Sequence, residues 1–352
     1  MSVPTIAERI AAYRTGGGRK EVPAPRYVRR DRPAKGKIFL AIKQFAQHMS
    51  NEGWQLQTGL EAAGYQLCGR GFDIATGHVP KILAQTRPDV AVLQDKREWD
   101  PKNPACLRKN EAFEHYSALG KRDDLFRLTV LKDAQHNVDD NARTAEVCKI
   151  HAWIVYYHPE MVQHLAPYSR KRHYVRTWHS LDPDQLPEFD HARIKTALLS
   201  GATSKIAYPL RTRLFEAPLK YTQKLLHPGY HANGSATESY LKTLNQFRVA
   251  VCTCSVYGYA LRKIIEATAC GCRVVTDLPP DETLPEIDGN LIRISSDTPA
   301  DTVDELCRLA AAEWDAEQQL EYRRRAVLFY NYRRRGKELA EAIEALRQTY
   351  SA

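Results

Sequence analysis

Long hydrophobic runs are absent from this chain, although 43% of its 352 residues are hydrophobic. No apolar stretch approaches the ~18–20 residues that a helix needs to cross the hydrocarbon core of a bilayer. The N-terminus also lacks the apolar core of a secretory signal peptide. Both absences argue against a transmembrane segment and against secretion. We therefore expect a cytoplasmic protein with enough apolar content for two domains of ordinary size.

Cysteine is too sparse for a disulfide scaffold, since the whole chain has eight. We expect reduced thiols. Two Cys-x-Cys pairs, Cys252 with Cys254 and Cys270 with Cys272, raise the hypothesis of a zinc site. The first pair alternates along a predicted strand and the second falls in a turn that ends a helix. Buried free thiols are therefore the favoured interpretation, and we expect no metal.

Acidic residues are scarce near the front of the chain, whose net charge is +9. Between Arg14 and Lys37 the sequence has nine basic residues against only Glu21 and Asp31. Glycines and prolines in the same stretch predict a flexible basic arm over residues 1–36. Such an arm suits a polyanion, either nucleic acid or an anionic membrane, although a solvated tail without a partner remains an alternative. The candidates for contacts with nucleic acid in this arm are Arg29, Arg30 and Arg32.

A dinucleotide-binding fingerprint is also missing, because Gly69-x-Gly71 has no third glycine and no acidic ribose ligand downstream. What the chain does have is an alternation of short apolar runs with helical patterns. This alternation predicts βαβ units and a parallel sheet. The strands predicted in the first half are residues 38–42, 65–68, 88–93, 128–131 and 151–157.

Polar residues follow two of these strands, where parallel sheets bind their ligands. Asp95 comes after the strand at 88–93, and Asp133 comes after the strand at 128–131. Either carboxylate could act as general base on an acceptor hydroxyl. Lys132 and His136 are candidate contacts to the acceptor. Each of these residues could instead be a solvated loop charge.

The most informative stretch runs from Ser255 to Asp277 and predicts a loop, a helix, a turn and a buried strand. Ile264 and Ile265 give the helix an apolar side, and Gly271 predicts its end. Val274 and Val275 then form a β-branched run suited to a strand covered on both faces. An ordinary helix–strand unit of an α/β domain would explain this pattern without any further function.

The same residues carry a family resemblance. Glu266-Ala267, Ala269-Cys270-Gly271 and the run from Val274 to Asp277 resemble the "EA-x-ACG-x-x-VVTD" signature of GT-B nucleotide-sugar glycosyltransferases. The resemblance implies an α/β fold with two Rossmann-like domains facing each other across a cleft. It places an acceptor-binding domain at residues 37–185 and a nucleotide-sugar-binding domain at 186–332. Residues 333–352 would then form a helix that crosses back to the first domain.

The resemblance also implies a donor site in the second domain. Glu266 would bind the ribose of the donor nucleotide, while Gly258 stands where the family has a second glutamate. Basic side chains near the small-residue loop after Gly201 would neutralise the donor phosphates, and the candidates for this role are Arg211, Arg262 and Lys263. The donor-binding candidates are Gly201, Arg211, Tyr257, Gly258, Tyr259, Arg262, Lys263 and Glu266. Such folds need no bound cofactor, and we expect a UDP-sugar, UDP-glucose first, as co-substrate.

The acceptor is less constrained. The basic arm and the high charge favour a 5-hydroxymethylated pyrimidine in double-stranded DNA, modified by a phage-type enzyme in the host cytoplasm. A second hypothesis is a transferase for cell-surface glycan or lipid-linked saccharide, held at an anionic membrane by its basic residues. A third is a catalytically inactive GT-B protein that binds nucleic acid, because Gly258 replaces a carboxylate. Stereochemistry and oligomeric state stay open.

Overall fold

The computed structural model describes residues 2–12, 21–27, 36–41, 52–69, 79–94, 117–132, 134–135, 138–226 and 235–350. The chain divides into two compact units. The first unit comprises residues 15–45, 54–178 and 335–352, and the second comprises residues 1–14, 46–53 and 179–334. Within the described ranges, no helix combines the length and the apolar character that a bilayer crossing requires.

The first unit contains a six-stranded parallel sheet of order β2-β1-β3-β4-β5-β6. Its strands are β1 (Lys37–Ala41), β2 (Tyr65–Gly69), β3 (Val90–Leu93), β4 (Phe126–Val130), β5 (Ala152–Val155) and β6 (His173–Arg176). The longer helices among its described residues are α2 (Glu52–Ala62), α3 (Val79–Thr86), α4 (Val138–Val147), α5 (Pro159–Leu165) and most of α11 (Tyr332–Thr349). Every residue of β3, β4 and β5 is buried, as expected for central strands of a parallel sheet.

The second unit contains a five-stranded parallel sheet of order β11-β10-β9-β7-β8. Its strands are β7 (Ile194–Gly201), β8 (Thr222–Leu226), β9 (Phe247–Val251), β10 (Arg273–Thr276) and β11 (Leu291–Arg293). Its helices are α1 (Ile6–Ala12), α6 (Pro209–Glu216), α7 (Ser235–Leu244), α8 (Arg262–Ala269), α9 (Ala300–Ala312) and α10 (Ala316–Tyr330). Leu199, Val249 and Val275 pack with Val303 and Cys307 of α9 in its core.

The stretch from Ser255 to Asp277 folds as its pattern predicts. Helix α8 ends at Ala269, and Gly271 has a φ of +82°, the left-handed conformation that ends helices. A Cβ at Gly271 would lie 2.7 Å from Nη2 of Arg193, so a larger residue would also meet that guanidinium. The turn delivers the chain directly into β10, whose last three residues are buried.

Part of the predicted flexible arm is ordered. Residues 6–12 form helix α1, and Ile6 is buried in the second unit. Val22 and Tyr27 are also buried, and Arg172 donates hydrogen bonds to the carbonyls of Val22 and Pro23. A flexible arm was predicted here from the basic residues, glycines and prolines. The buried side chains of Ile6, Val22 and Tyr27 instead anchor these two segments. Arg29, Arg30 and Arg32 lie outside the described residues.

Candidate functional site

The second sheet has its topological switch point between β7 and β9. From β7 the chain moves to β8 on one side, and from β9 it moves to β10 and β11 on the other side. Ligands of open α/β sheets bind beyond the carboxyl ends of the strands at such a point. Gly201 ends β7 there, and Cys252 and Thr253 follow β9.

Arg211 of helix α6 lies across these two strand ends. Its Nε donates to Oγ1 of Thr253 at 2.9 Å, and its Nη2 donates to the Thr253 carbonyl at 2.7 Å. Its Nη1 donates to the Ala202 carbonyl at 3.1 Å. The guanidinium also lies over the ring of Tyr208, 4.0 Å from the centroid. Neutral oxygens and an aromatic face thus hold a buried cation in place.

Lys263 reaches the same place from the first turn of helix α8. Its Nζ donates to the carbonyl of Ser200 at 3.0 Å and lies 5.8 Å from the ring centroid of Tyr240. Burial, and to a smaller extent the neighbouring Arg211, lower the pKa of the Lys263 ammonium to about 8. Opposing effects from Cys252 and Glu266 are smaller.

The two cations meet at Gly201, where φ is +128°. A Cβ at this position would lie 3.0 Å from Nη1 of Arg211 and would overlap Nζ of Lys263. Glycine is therefore required both by the backbone conformation and by the approach of the cations. Among the described residues, neither cation forms an ion pair with a carboxylate. A buried guanidinium and a partly buried ammonium, both bonded to neutral oxygens, suit an anion, and the guanidinium fork suits phosphate oxygens.

Arg262 and Glu266 form a separate pair on helix α8. Nε of Arg262 lies 2.8 Å from Oε1 of Glu266, and their side chains are only 11% and 8% exposed. The structure thus places the predicted ribose ligand beside one of the three predicted phosphate ligands. Because Glu266 balances the charge of Arg262, Arg262 is less suited to phosphate than Arg211 or Lys263.

The loop between β9 and α8 carries the remaining predicted donor residues. Val256 N donates to the carbonyl of Ala207 at 3.0 Å, which joins this loop to the loop after β7. Gly258 N donates to the carbonyl of Ser255 at 2.9 Å, and Gly258 has a φ of +70°. The rings of Tyr257 and Tyr259 lie 5.7 Å apart, and the Tyr259 ring is buried.

Sequence reasoning missed one residue at this end of the sheet. Arg9 of helix α1 donates through Nη2 to the carbonyl of Asp277 and through Nη1 to Sγ of Cys254 at 3.3 Å. The contact joins residues 245 positions apart, so no local pattern predicts it. The basic residues of the N-terminus were the only sequence signal for this contact, and we interpreted them as ligands of a polyanion outside the protein.

The first unit presents fewer of the predicted residues. Its sheet order reverses between β1 and β3, and Gln94 follows β3 as a buried residue. Lys132 is buried after β4, and Thr129 donates to the carbonyl of Leu93 at 3.3 Å. The catalytic candidates Asp95 and Asp133 and the acceptor candidate His136 lie outside the described residues.

The two Cys-x-Cys pairs are buried thiols. Cys272 Sγ donates to the carbonyl of Leu244 at 3.2 Å, and Cys270 Sγ donates to that of Leu241 at 3.5 Å. Burial raises the pKa of the Cys252 and Cys272 thiols to about 12, so both remain neutral. Across the described part of the chain, no group of three or more histidine, cysteine, aspartate or glutamate residues could hold a metal ion.

No protein-family model and no curated protein matches the sequence. Solved structures do match it. The sucrose-phosphate synthase of Thermosynechococcus elongatus is 11% identical over 90% of this chain and 98% of its own, with a TM-score of 0.56. Anabaena HepE, solved with UDP-glucose, is 10% identical over 88% of this chain and 99% of its own, with a TM-score of 0.54. AviGT4, a glycosyltransferase involved in avilamycin A biosynthesis, is 13% identical over 90% of this chain and 99% of its own, with a TM-score of 0.51.

These likenesses, together with the two parallel sheets, establish an α/β fold of the GT-B class, which confirms the predicted fold class.

Proposed function

We propose that this protein is a glycosyltransferase that takes its sugar from a nucleoside-diphosphate sugar bound at the switch point of the second sheet. The observation that carries the proposal is the convergence of Arg211 and Lys263 on Gly201. The fold it shares with HepE, which was solved with UDP-glucose, makes a UDP-sugar the first donor to test.

In the proposed transfer reaction, the second unit binds the donor and stabilises charge, and it forms no covalent bond to the sugar. The bond between the anomeric carbon and the diphosphate oxygen breaks, and the diphosphate leaves with the electron pair. Arg211 and Lys263 are fixed within the protein by hydrogen bonds to Thr253 and Ser200. Preorganised cations of this kind stabilise developing negative charge without reorganising during the reaction.

Glu266 and the acceptor side complete the proposal. Glu266, held by Arg262, is proposed to accept hydrogen bonds from the donor ribose. The acceptor oxygen forms the new bond to the anomeric carbon, and its proton passes to a base. Asp95 and Asp133 remain the proposed bases, because each directly follows a strand region of the first sheet.

For the acceptor we propose a hydroxymethylated pyrimidine in double-stranded DNA. The support is the net charge of +9 and the basic run that includes Arg29, Arg30 and Arg32. A primary hydroxyl on a base is a suitable nucleophile, and phosphate contacts by basic residues would position the duplex. Incubation with radiolabelled UDP-glucose and hydroxymethylated or unmodified duplex tests this acceptor. Label appearing only in a saccharide or lipid fraction would overturn it.

Calorimetry tests the donor site itself. The full chain should bind UDP and UDP-glucose, and Lys263→Met should weaken binding about 10- to 100-fold, the effect of losing one hydrogen bond to a charged group. Lys242→Met is the matched control, because Lys242 lies exposed on α7 and pairs with Glu238. Absence of UDP binding by the unmodified chain, or equal affinities for both variants, would contradict the proposal.

A further inference from the structure

Residues 253–255, shortly after β9, are held by two arginines that are far apart in the sequence. Arg211 donates to both the side chain and the carbonyl of Thr253. Arg9 contacts Sγ of Cys254 at 3.3 Å and the carbonyl of Ser255 at 3.5 Å, and it also donates to the carbonyl of Asp277 after β10. The guanidinium of Arg9 therefore joins the two loops that follow β9 and β10.

The same junction carries a buried carboxylate. Asp277 accepts a hydrogen bond from Cys254 N at 2.7 Å, and burial raises the pKa of this side chain. A cation beside a buried carboxylate favours the ionised form that accepts this bond. Arg9 lowers the pKa of Asp277 in this way, so it supports the geometry of Cys254 through charge as well as through hydrogen bonds.

Arg9 also packs against Gly258, whose positive φ already favours glycine. A Cβ on Gly258 would lie 3.1 Å from Cδ of Arg9 and 2.9 Å from Cγ of Pro279. The arginine stem therefore packs against the loop that leads into helix α8, which carries Lys263. Arg9 thus contacts this loop at Cys254, Ser255 and Gly258, before the chain enters α8.

Helix α1 is fastened so that Arg9 stays in place. Ile6 is buried, and its backbone N–H lies 2.9 and 3.0 Å from the two carboxylate oxygens of Asp281. Apolar burial and a charged acceptor thus anchor the first turn of the helix. Arg9 follows one turn later on the same side, as the spacing of three residues requires.

We propose that Arg9 is a positioning residue of the donor site, and that helix α1 is an integral part of the unit that binds the nucleotide sugar. The inference rests on the proposed function. Arg9 acts through residues 253–255 and through the loop at Gly258, which set the positions of Arg211 and Lys263. Without Arg9, the two cations lose their fixed spacing and bind the donor less tightly.

The test compares full-length Arg9→Ala with Arg308→Ala, a control that removes an exposed arginine of α9 paired with Glu305. Arg9→Ala should raise the donor KM about tenfold or more, the range for losing hydrogen bonds made by a charged group, with a smaller change in kcat. Millimolar guanidinium should restore part of the affinity, and Tm should stay within a few degrees of the control. Ile6→Ala should raise KM in the same way, because it loosens the anchor of α1.

A double-mutant cycle separates a direct contact from general damage. Gly258→Ala should raise KM less in an Arg9→Ala background than in the unmodified chain, because the contact with Cδ of Arg9 is gone and only the contact with Pro279 remains. Normal KM for Arg9→Ala, with Lys263→Met still impaired, would overturn the positioning role while leaving the proposed function intact. If the effects of Arg9→Ala and Gly258→Ala on KM were strictly additive, the direct contact between the two residues would be refuted. Normal donor affinity for Lys263→Met would instead contradict the proposed function.

Discussion

The fold lowers the pKa of Lys263, a candidate ligand of the donor diphosphate. Burial and the nearby Arg211 lower the pKa of its ammonium to about 8, so the charge it offers to a diphosphate depends on pH near neutrality. Below that pKa the side chain is charged. Above it the side chain is neutral and contributes much less to anion binding. A bound diphosphate would raise the pKa again, because an anion favours the charged form.

We therefore expect UDP affinity to be highest below pH 8 and to fall as the pH rises through about 8. Binding to the unmodified chain should drop about tenfold between pH 7 and pH 9.5, the loss of one charge-assisted contact. Calorimetry across this range measures the profile. Lys263→Met should bind weakly at both pH values, with a flat profile. A profile that falls equally in both proteins would assign the titration to another group.

The Arg262–Glu266 pair gives a prediction about stability. Replacing Arg262 by methionine leaves Glu266 as a mostly buried carboxylate without this cation, which should lower the free energy of unfolding by about 2–3 kcal/mol. Adding Glu266→Gln removes the uncompensated charge. Urea denaturation should therefore show the double variant to be more stable than Arg262→Met alone. Equal stabilities would mean that the pair is not coupled.

At the scale of elements, sequence patterns predicted the structure best where burial was complete. The apolar runs of β3, β4 and β5 were predicted within a few residues of their observed bounds. Strand β8 was missed because Gln223 to Leu226 are exposed at the sheet edge and the run includes Lys224. Helix α4 was missed because its Val138-Asp139-Asp140-Asn141 start has little apolar periodicity. Edge elements take their structure from their neighbours, which a local pattern does not contain.

The contact between helices α2 and α11 in the first unit gives a prediction at this scale. A Cβ on Gly336 of α11 would overlap the backbone of Gly59 in α2. Glycine to alanine at an exposed helix position stabilises by about 1 kcal/mol. Because the added Cβ would overlap the backbone of Gly59, Gly336→Ala should destabilise the protein instead. We expect it to lower the free energy of unfolding by about 1–3 kcal/mol. Denaturant unfolding measures this, with Glu341→Ala, an exposed position of the same helix, as control. A stabilised Gly336→Ala variant would refute the close packing.

At the scale of the whole molecule, the compact units are not contiguous in sequence. Residues 1–14 belong to the second unit, while residues 335–352 belong to the first. The family resemblance predicted a helix over residues 333–352, and α11 spans Tyr332–Thr349. No local pattern places the N-terminus with the second sheet, because Ile6 of α1 contacts Asp281, 275 positions away. Arg211 and Lys263 were predicted as phosphate ligands, but their meeting at Gly201 requires the sheet order.

The charge of the whole molecule carries the last prediction, which concerns DNA. Each phosphate that a basic side chain neutralises releases counterions, so the logarithm of affinity falls linearly with the logarithm of salt concentration. If Arg29, Arg30 and Arg32 contact the duplex, replacing all three by alanine should weaken binding and reduce this slope by up to about 3. Filter binding between 50 and 300 mM salt, as rough limits, measures both quantities.

The donor KM should not change, because Arg9 and the rest of helix α1 are retained. A triple variant with the original slope would remove these arginines from the DNA interface. Salt-dependent loss of binding to anionic vesicles, with no DNA binding by either protein, would favour a membrane acceptor instead.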